Sequence, residues 1–486
     1  MSAGLQRIVV SAIFLASVCG LALRLFMLPH YELTYDEAAT AHFAALPMLD
    51  LWGAVGRLET NPPLFYTLAG IGARLGLSPE WLRVVSILPD GVTIVVGGVL
   101  AWRLGGALAG VIAAWLIAGS ATMIEVGLEA RAYSLLALLG VLSVLLAARA
   151  LRDGDRRTLF ALGLCEVGAL YTHNVAAIMV GALNGMALLC WAAGPAPVAG
   201  LVRRWLVTQA LVAGAWLYWL PTVLTQTTGD LARFWIATPS TADLRYAVQK
   251  VVGLPWVTWP QPLADLVFAG LGALGLLCLV RRRGLDRWIG IGIAVVVLAG
   301  VPAVTWAISQ WRPLMNGRVL LWLVPIHIVL VAVALGWLRS AGVVVAAVLV
   351  VAQVYAVPFW RPVASAEPWP HVAALLRERM QPGDAIVLTP APTALLLLHY
   401  GWQPGPYTVF GRADGRWYRD FPGTFIGAAD VPVLATGQSV WLVTRRGTPR
   451  HEAAVARLDD TRSEIRLLRG GTRSDGGLDV SLLVPR

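Results

Sequence analysis

Residues 8–28 read IVVSAIFLASVCGLALRLFML, and Leu33-Thr34-Tyr35-Asp36-Glu37 follows almost at once. An apolar run of that length crosses the roughly 30 Å hydrocarbon core of a bilayer at about 1.5 Å per residue. Asp36 and Glu37 therefore emerge at a membrane face, where ionised groups beside lipid are more often functional than structural. Working outward, the rest of the chain has the same character. It is 57% hydrophobic and 14% charged over 486 residues, with a mean hydropathy of +0.69. A soluble domain carries about a quarter charged residues, so this is the composition of a polytopic membrane protein.

The net charge of +10 does not point to nucleic acid. The basic residues sit mostly in short loops between apolar runs, the pattern that orients a membrane protein. Cys19, Cys165, Cys190 and Cys278 all fall inside apolar segments and show neither disulfide nor zinc spacing. The first run lacks a small-x-small cleavage site and reads as a retained helix rather than a signal peptide.

Further apolar runs follow at 89–104, 107–124, 133–151, 158–174, 175–193, 205–223, 263–280, 288–308, 319–338 and 340–357. Loops marked by Arg152, Arg156 and Arg157, by Arg203 and Arg204, by Arg281 to Arg283, and by Arg339 alternate correctly if all are cytoplasmic. The run at 64–77 is short. Lying in the interface it leaves eleven spans; paired with a second short crossing near 80–88 it makes thirteen. The sequence thus predicts a mostly α membrane domain over 1–357 with a first outer loop at 29–63. Past Val357 prolines cluster and the hydropathy falls, so 358–486 reads as a small extracytoplasmic α/β domain. Helices are expected at 371–380 and 393–400, and strands at 385–388 and 440–444.

The outer-face segments gather polar groups beside helix ends: Asp36 and Glu37, Glu59 and Asn61, Glu125, Glu129 and Arg131, His173 and Asn174, and Arg318. The cytoplasmic loops carry arginine and a few acids. Acid, base and arginine converging on one face imply an active site opening outward. Arginine offers phosphate a fixed fork of donors and stays charged near lipid. A carboxylate can take the proton of an incoming hydroxyl. A compartment without nucleotides requires its activated sugars on a polyprenyl phosphate, so the pieces suggest glycosyl transfer.

Plain structural readings stand beside these. Asp36 could cap a helix, Glu129 and Arg131 could be a simple interfacial ion pair, and His173 could be a structural hydrogen-bonder. Arg318 could snorkel to the interface, and Asn61-Pro62-Pro63 is a helix-start signal. A transporter or lipid flippase is the alternative class. It would place its ionisable residues near the bilayer midplane, often in two repeated halves, whereas the notable residues here lie at outer helix ends and the halves show no repeat.

Taken in order, Tyr35-Asp36-Glu37, Asn61-Pro62-Pro63-Leu64-Phe65-Tyr66, Glu129-Ala130-Arg131-Ala132-Tyr133 and Tyr171-Thr172-His173-Asn174 resemble the GT-C glycosyltransferases. The branch they resemble holds the bacterial relatives of protein O-mannosyltransferases and lipid A aminoarabinose transferases. Phe234-Trp235-Ile236 and Asn316-Gly317-Arg318 are similar to that branch as well. The resemblance covers about 8–357. It implies Asp36 as the catalytic base and Arg318 as the contact to the donor phosphate. Glu37, Asn61, Glu129, Arg131, His173 and Trp235 are its candidate substrate-binding residues. Asn61 stands where the family often has histidine, and Val319 where it usually has tyrosine; both departures bear on donor specificity rather than on reaction class. The implied partners are a polyprenyl-phosphate-linked sugar, a glycan, lipid or protein acceptor, and the bilayer of a bacterial inner membrane. A carboxylate-rich cavity could hold a divalent cation, although no ligand spacing demands one.

Overall fold

The computed structural model describes residues 2–30, 32–228, 238–253, 261–364, 368–389, 393–403, 408–410, 439–445, 462–473 and 476–485. Contacts group the chain into two compact units. The first comprises Met1–Leu28, Pro47–Gly72 and Trp81–Pro358, and the second Pro29–Leu46, Ala73–Glu80 and Phe359–Arg486.

The first unit is a helical bundle. Among the described residues, six helices are long and apolar enough to cross a membrane, or up to eight if each of two bent pairs is one span. The bent pairs explain much of the difference from the eleven expected runs. Ala107–Gly119 and Ala121–Gly127 meet at 58°, and Leu201–Trp216 and Leu220–Gln226 at 57°. In each case one apolar run contains two helices. Two later runs are shorter as helices, at Leu321–Trp337 and Ser340–Tyr355. The helix Leu64–Arg74 has 11 residues; at about 1.5 Å per residue it reaches roughly half-way across a hydrocarbon core.

Val324–Trp337 is the centre of the bundle: every side chain from Val324 to Leu335 is buried, as an all-round apolar helix requires. Its neighbour Gln261–Val280 approaches so closely that a Cβ on Gly275 would lie 2.0 Å from the Leu330 carbonyl oxygen. Small residues permit such backbone contact where lipid removes most of the hydrophobic drive for helix association. Polar groups inside the bundle find one another. Gln209 Nε2 donates to Glu166 Oε2 (2.8 Å), Asn184 Nδ2 to Gln209 Oε1 (3.0 Å) and Trp205 Nε1 to Asn184 Oδ1 (2.9 Å).

The second unit is built on a five-stranded sheet. Its strands are β1 (Ala385–Thr389), β2 (Thr408–Phe410), β3 (Val440–Arg445), β4 (Arg462–Arg473) and β5 (Gly476–Pro485), in the order β2-β1-β3-β5-β4. β1 runs parallel to β2 and β3, while β5 is antiparallel to both β3 and β4. The helices Trp369–Arg379 and Thr393–His399 lie close to their expected bounds, as do β1 and β3. The hydrophobic core joins Trp369, Val372, Leu376, Ile386, Leu388, Trp441 and Val480 to Leu33, Ala38 and Ala39. Thus Pro29–Leu46, which the sequence grouped with the helical bundle, packs with the C-terminal residues.

One contact in this unit is sensitive to pH. His399 Nε2 lies 2.7 Å from Glu80 Oε1, and the Ser78 hydroxyl donates to Glu80 Oε2 at 2.8 Å. Burial raises the Glu80 pKa, but the Ser78 bond, a backbone amide and His399 together outweigh it and hold the carboxyl below its ordinary value. A depressed carboxyl contributes stability above its unfolded pKa and loses it as pH falls through the folded one. Melting curves should therefore show the wild type losing more stability than Glu80→Gln between neutral pH and the acid side of the carboxylate range.

Candidate active site

The candidate residues of the first unit sit on its helix ends. Helix Met48–Leu58 ends at Glu59, which is its C-cap. Glu59 then organises the turn that follows: its Oε1 accepts from the Thr60 amide (2.8 Å) and hydroxyl (3.2 Å) and from the Asn61 amide (3.4 Å). Two side chains from far along the chain pin the same turn. Asn174 Nδ2 donates to the Thr60 carbonyl at 2.7 Å, and Gln226 Nε2 to the Glu59 carbonyl at 2.7 Å. Pro62 and Pro63 lead into the helix Leu64–Arg74, whose first amide donates to the Tyr171 carbonyl at 2.9 Å.

Arg131 is the hub. Its Nη1 lies 3.3 Å from Glu59 Oε2 and donates to the Tyr66 hydroxyl at 2.9 Å. The guanidinium carbon stands 5.9 Å from the Tyr66 ring centroid. The Arg131 amide turns back to the Glu129 carbonyl at 2.7 Å, and the Ser86 hydroxyl holds the Arg131 carbonyl at 3.2 Å. These bonds orient Glu129, which meets Arg318 Nη1 at 2.7 Å. Arg318 is fixed in turn by Asn316, whose Oδ1 accepts from the amides of Arg318 (2.8 Å) and Val319 (3.1 Å). This is an Asx turn made by the Asn316-Gly317-Arg318 motif itself. Of the two ion pairs, Arg131–Glu59 is the deeper, with side-chain exposures of 8% and 11%; in Arg318–Glu129 the guanidinium is 38% exposed. The cluster balances two carboxylates against two arginines and presents one guanidinium outward.

His173 lies close enough to Arg131 to feel its charge. Its Nδ1 accepts from the Val175 amide at 3.1 Å, which places the ring proton on Nε2, and its ring centroid lies 5.8 Å from that of Tyr133. Burial, and secondarily the Arg131 charge, lower its pKa to about 4. The imidazole is therefore a neutral N–H donor at physiological pH rather than an acid or a base. Nitrogen NMR of selectively labelled histidine should find it neutral at pH 5.5. A His173 resonance titrating near 6.5 would contradict this assignment. Burial likewise raises the Tyr66 pKa, so its hydroxyl stays protonated beside Arg131.

Asp36 and Glu37 belong to the second unit. They open the helix Tyr35–Ala45 behind the N-cap Thr34. Glu37, expected to bind substrate, is 1% exposed. Its Oε2 accepts from the Thr34 amide at 2.9 Å while the Thr34 hydroxyl accepts from the Glu37 amide at 3.3 Å, a complete capping box. Asp36 is the half-buried neighbour one position earlier, in the same first turn. Trp235 lies outside the described residues. Among the described residues, no group of three or more His, Cys, Asp or Glu side chains could hold a metal ion.

The first unit thus links Asn61, Glu129, Arg131 and Arg318 through hydrogen bonds and ion pairs, and places His173 within reach of the Arg131 charge. Sequence reasoning noted Glu59 without counting it among the site residues, and it passed over Arg24 and Asp90. These two form a fully buried ion pair inside the runs 8–28 and 89–104.

The apolar helices are those of a multi-pass membrane protein, and the described fold is shared with solved structures of membrane glycosyltransferases. Two solved structures illustrate the likeness. The lipid A aminoarabinose transferase ArnT from Cupriavidus metallidurans, bound to undecaprenyl phosphate, superposes with a TM-score of 0.60 at 15% identity, over 96% of this chain and 97% of that one. The oligosaccharyltransferase AglB from Archaeoglobus fulgidus, in complex with an inhibitory peptide and a dolichol phosphate, gives 0.51 at 13% identity, over 91% and 70%. No family model matches the sequence, and no curated protein matches it.

Proposed function

We propose that this protein is an integral membrane glycosyltransferase that moves a sugar from a polyprenyl-phosphate donor to an acceptor hydroxyl, with inversion at the anomeric carbon. The observation that carries the reading is the Arg318–Glu129 pair: a guanidinium 38% exposed, braced by a carboxylate at 2.7 Å and by its own Asx turn. It is a preorganised phosphate contact set in a fold shared with a transferase that binds undecaprenyl phosphate.

In this reading Asp36 takes the proton from the acceptor hydroxyl, and the oxygen attacks the anomeric carbon as the bond to the phosphate oxygen breaks. Polyprenyl phosphate leaves with the bonding pair, and Arg318 meets the charge that develops on it. One displacement inverts the centre. Neutral His173 and the buried Arg131 assist as donors, and no step asks His173 to change its protonation state. The active site faces the outside of a bacterial inner membrane, and the sugar is a hexose or pentose.

The test is turnover. Purified protein in lipid nanodiscs, given a panel of polyprenyl-phosphate monosaccharides and a cell-envelope extract as acceptor, should release polyprenyl phosphate from at least one donor. An intact donor pool across the panel, with no release above a protein-free control, would count against the assignment.

A further inference from the structure

Arg24 and Asp90 lie within apolar runs, and neither side chain reaches solvent. Arg24 Nε donates to Asp90 Oδ2, and its Nη1 donates to the carbonyls of Gly20 (3.0 Å) and Ala118 (2.9 Å). Among the described residues, Arg24 Nη2 and Asp90 Oδ1 have no hydrogen-bond partner. Desolvating two charges this completely offsets most of their attraction, and well-packed apolar side chains of similar volume often stabilise a fold as much or more. The pair therefore calls for a role other than adding stability.

Its contacts supply one. Ala118 lies in the last turn of Ala107–Gly119, just before the 58° break at Ser120. Carbonyls at such an end lose their helical partners, and Arg24 takes one of them. Ser120 then caps the short helix Ala121–Gly127. At the far end of that helix, a Cβ on Gly127 would lie 2.7 Å from Asp90 Oδ2 and 3.4 Å from Arg24 Nε. The one ion pair thus touches both ends of the segment, and Glu129 and Arg131 follow directly. The helix Val84–Gly105 that carries Asp90 also carries Ser86, which holds the Arg131 carbonyl.

We infer that Arg24 and Asp90 are positioning residues: their ion pair sets the break at Ser120 and so fixes where Glu129 and Arg131 stand for the donor phosphate. The inference rests on the function proposed above for its ligand, but not for its mechanics.

Two variants of the full chain in nanodiscs test it. Arg24→Met/Asp90→Leu removes both charges at similar volume. Gly127→Ala keeps both charges and presses a methyl against the Asp90 carboxylate. Hydrogen exchange is followed at residues 120–132 with 133–153 as internal control, alongside binding of undecaprenyl phosphate. Both variants are expected to keep the wild-type melting temperature, to exchange faster at 120–132 only, and to bind the lipid roughly tenfold more weakly. Arg24→Lys, which keeps the charge facing Asp90, should recover part of both effects. Unchanged exchange at 120–132 overturns the inference, whatever the lipid does. So does faster exchange with wild-type lipid affinity, or a loss of affinity that only follows a fallen melting temperature. A wild type that binds no undecaprenyl phosphate would instead defeat the proposed function, and the clamp would then stand or fall on exchange alone.

Discussion

Asp36→Asn should lower glycosyl transfer on the order of 10²–10⁴-fold, the usual contribution of a positioned general base, while leaving the fold intact. The two effects separate because asparagine keeps the size of the side chain and removes only its negative charge. Asp36 occupies the first turn of Tyr35–Ala45, where a carboxylate contributes roughly 0.3–1 kcal/mol through the helix dipole. The capping box of Thr34 and Glu37 holds that helix end without it. Parallel measurements of turnover and melting temperature would show this divergence, whereas wild-type turnover in the variant would remove Asp36 from the mechanism.

The largest stability effect is expected at Arg131. Arg131→Met removes the guanidinium that faces the Glu59 carboxylate, 11% exposed, and that donates to the Tyr66 hydroxyl. Removing one member of a buried pair costs about 3–5 kcal/mol, because the remaining charge has lost its partner. Adding Glu59→Gln should therefore recover much of the loss, so that the double variant is more stable than Arg131→Met alone. Additive effects in that cycle would show that the pair is not coupled. Removing the Arg131 charge should also move the His173 pKa upward from about 4, since that charge is one of the two causes of its depression. Burial, the larger cause, keeps it below the ordinary value.

Much of the fold was legible because bilayer solvation is a strong local constraint: apolar runs such as 8–28 and 133–151 coincide with the helices Ala3–Met27 and Tyr133–Asp153. The breaks were not legible. Ile117 to Met123 carries no charge and no proline around Ser120, and the carbonyl freed there is met by Arg24, nearly a hundred positions earlier. The grouping of Pro29–Leu46 with the C-terminal residues was hidden for a similar reason. It depends on Leu33, Ala38 and Ala39 packing with Trp369 and Leu396, a contact no local pattern encodes.

The site divides the same way. Loops carrying Asn61, Arg131, His173 and Arg318 were recognisable by polar residues at helix ends. Which carboxylate pairs with which arginine was not. Two signals were nevertheless present in the residues. Thr34-Tyr35-Asp36-Glu37 is a Ser/Thr-x-x-Glu capping pattern, and it accounts for Glu37 as part of a helix start. Arg24 and Asp90 stand inside apolar runs, where an ionisable side chain is itself a reason to look for function.

The most direct measurement is photolabelling with an undecaprenyl phosphate analogue carrying the reactive group beside its phosphate, followed by peptide mapping. It needs no knowledge of the sugar. The account predicts labelling of peptides that hold Glu129 and Arg131 or Arg318, competed away by undecaprenyl phosphate and sharply reduced in Arg318→Met. Labelling that neither competitor nor Arg318→Met changes, or that falls only on other segments, would contradict it.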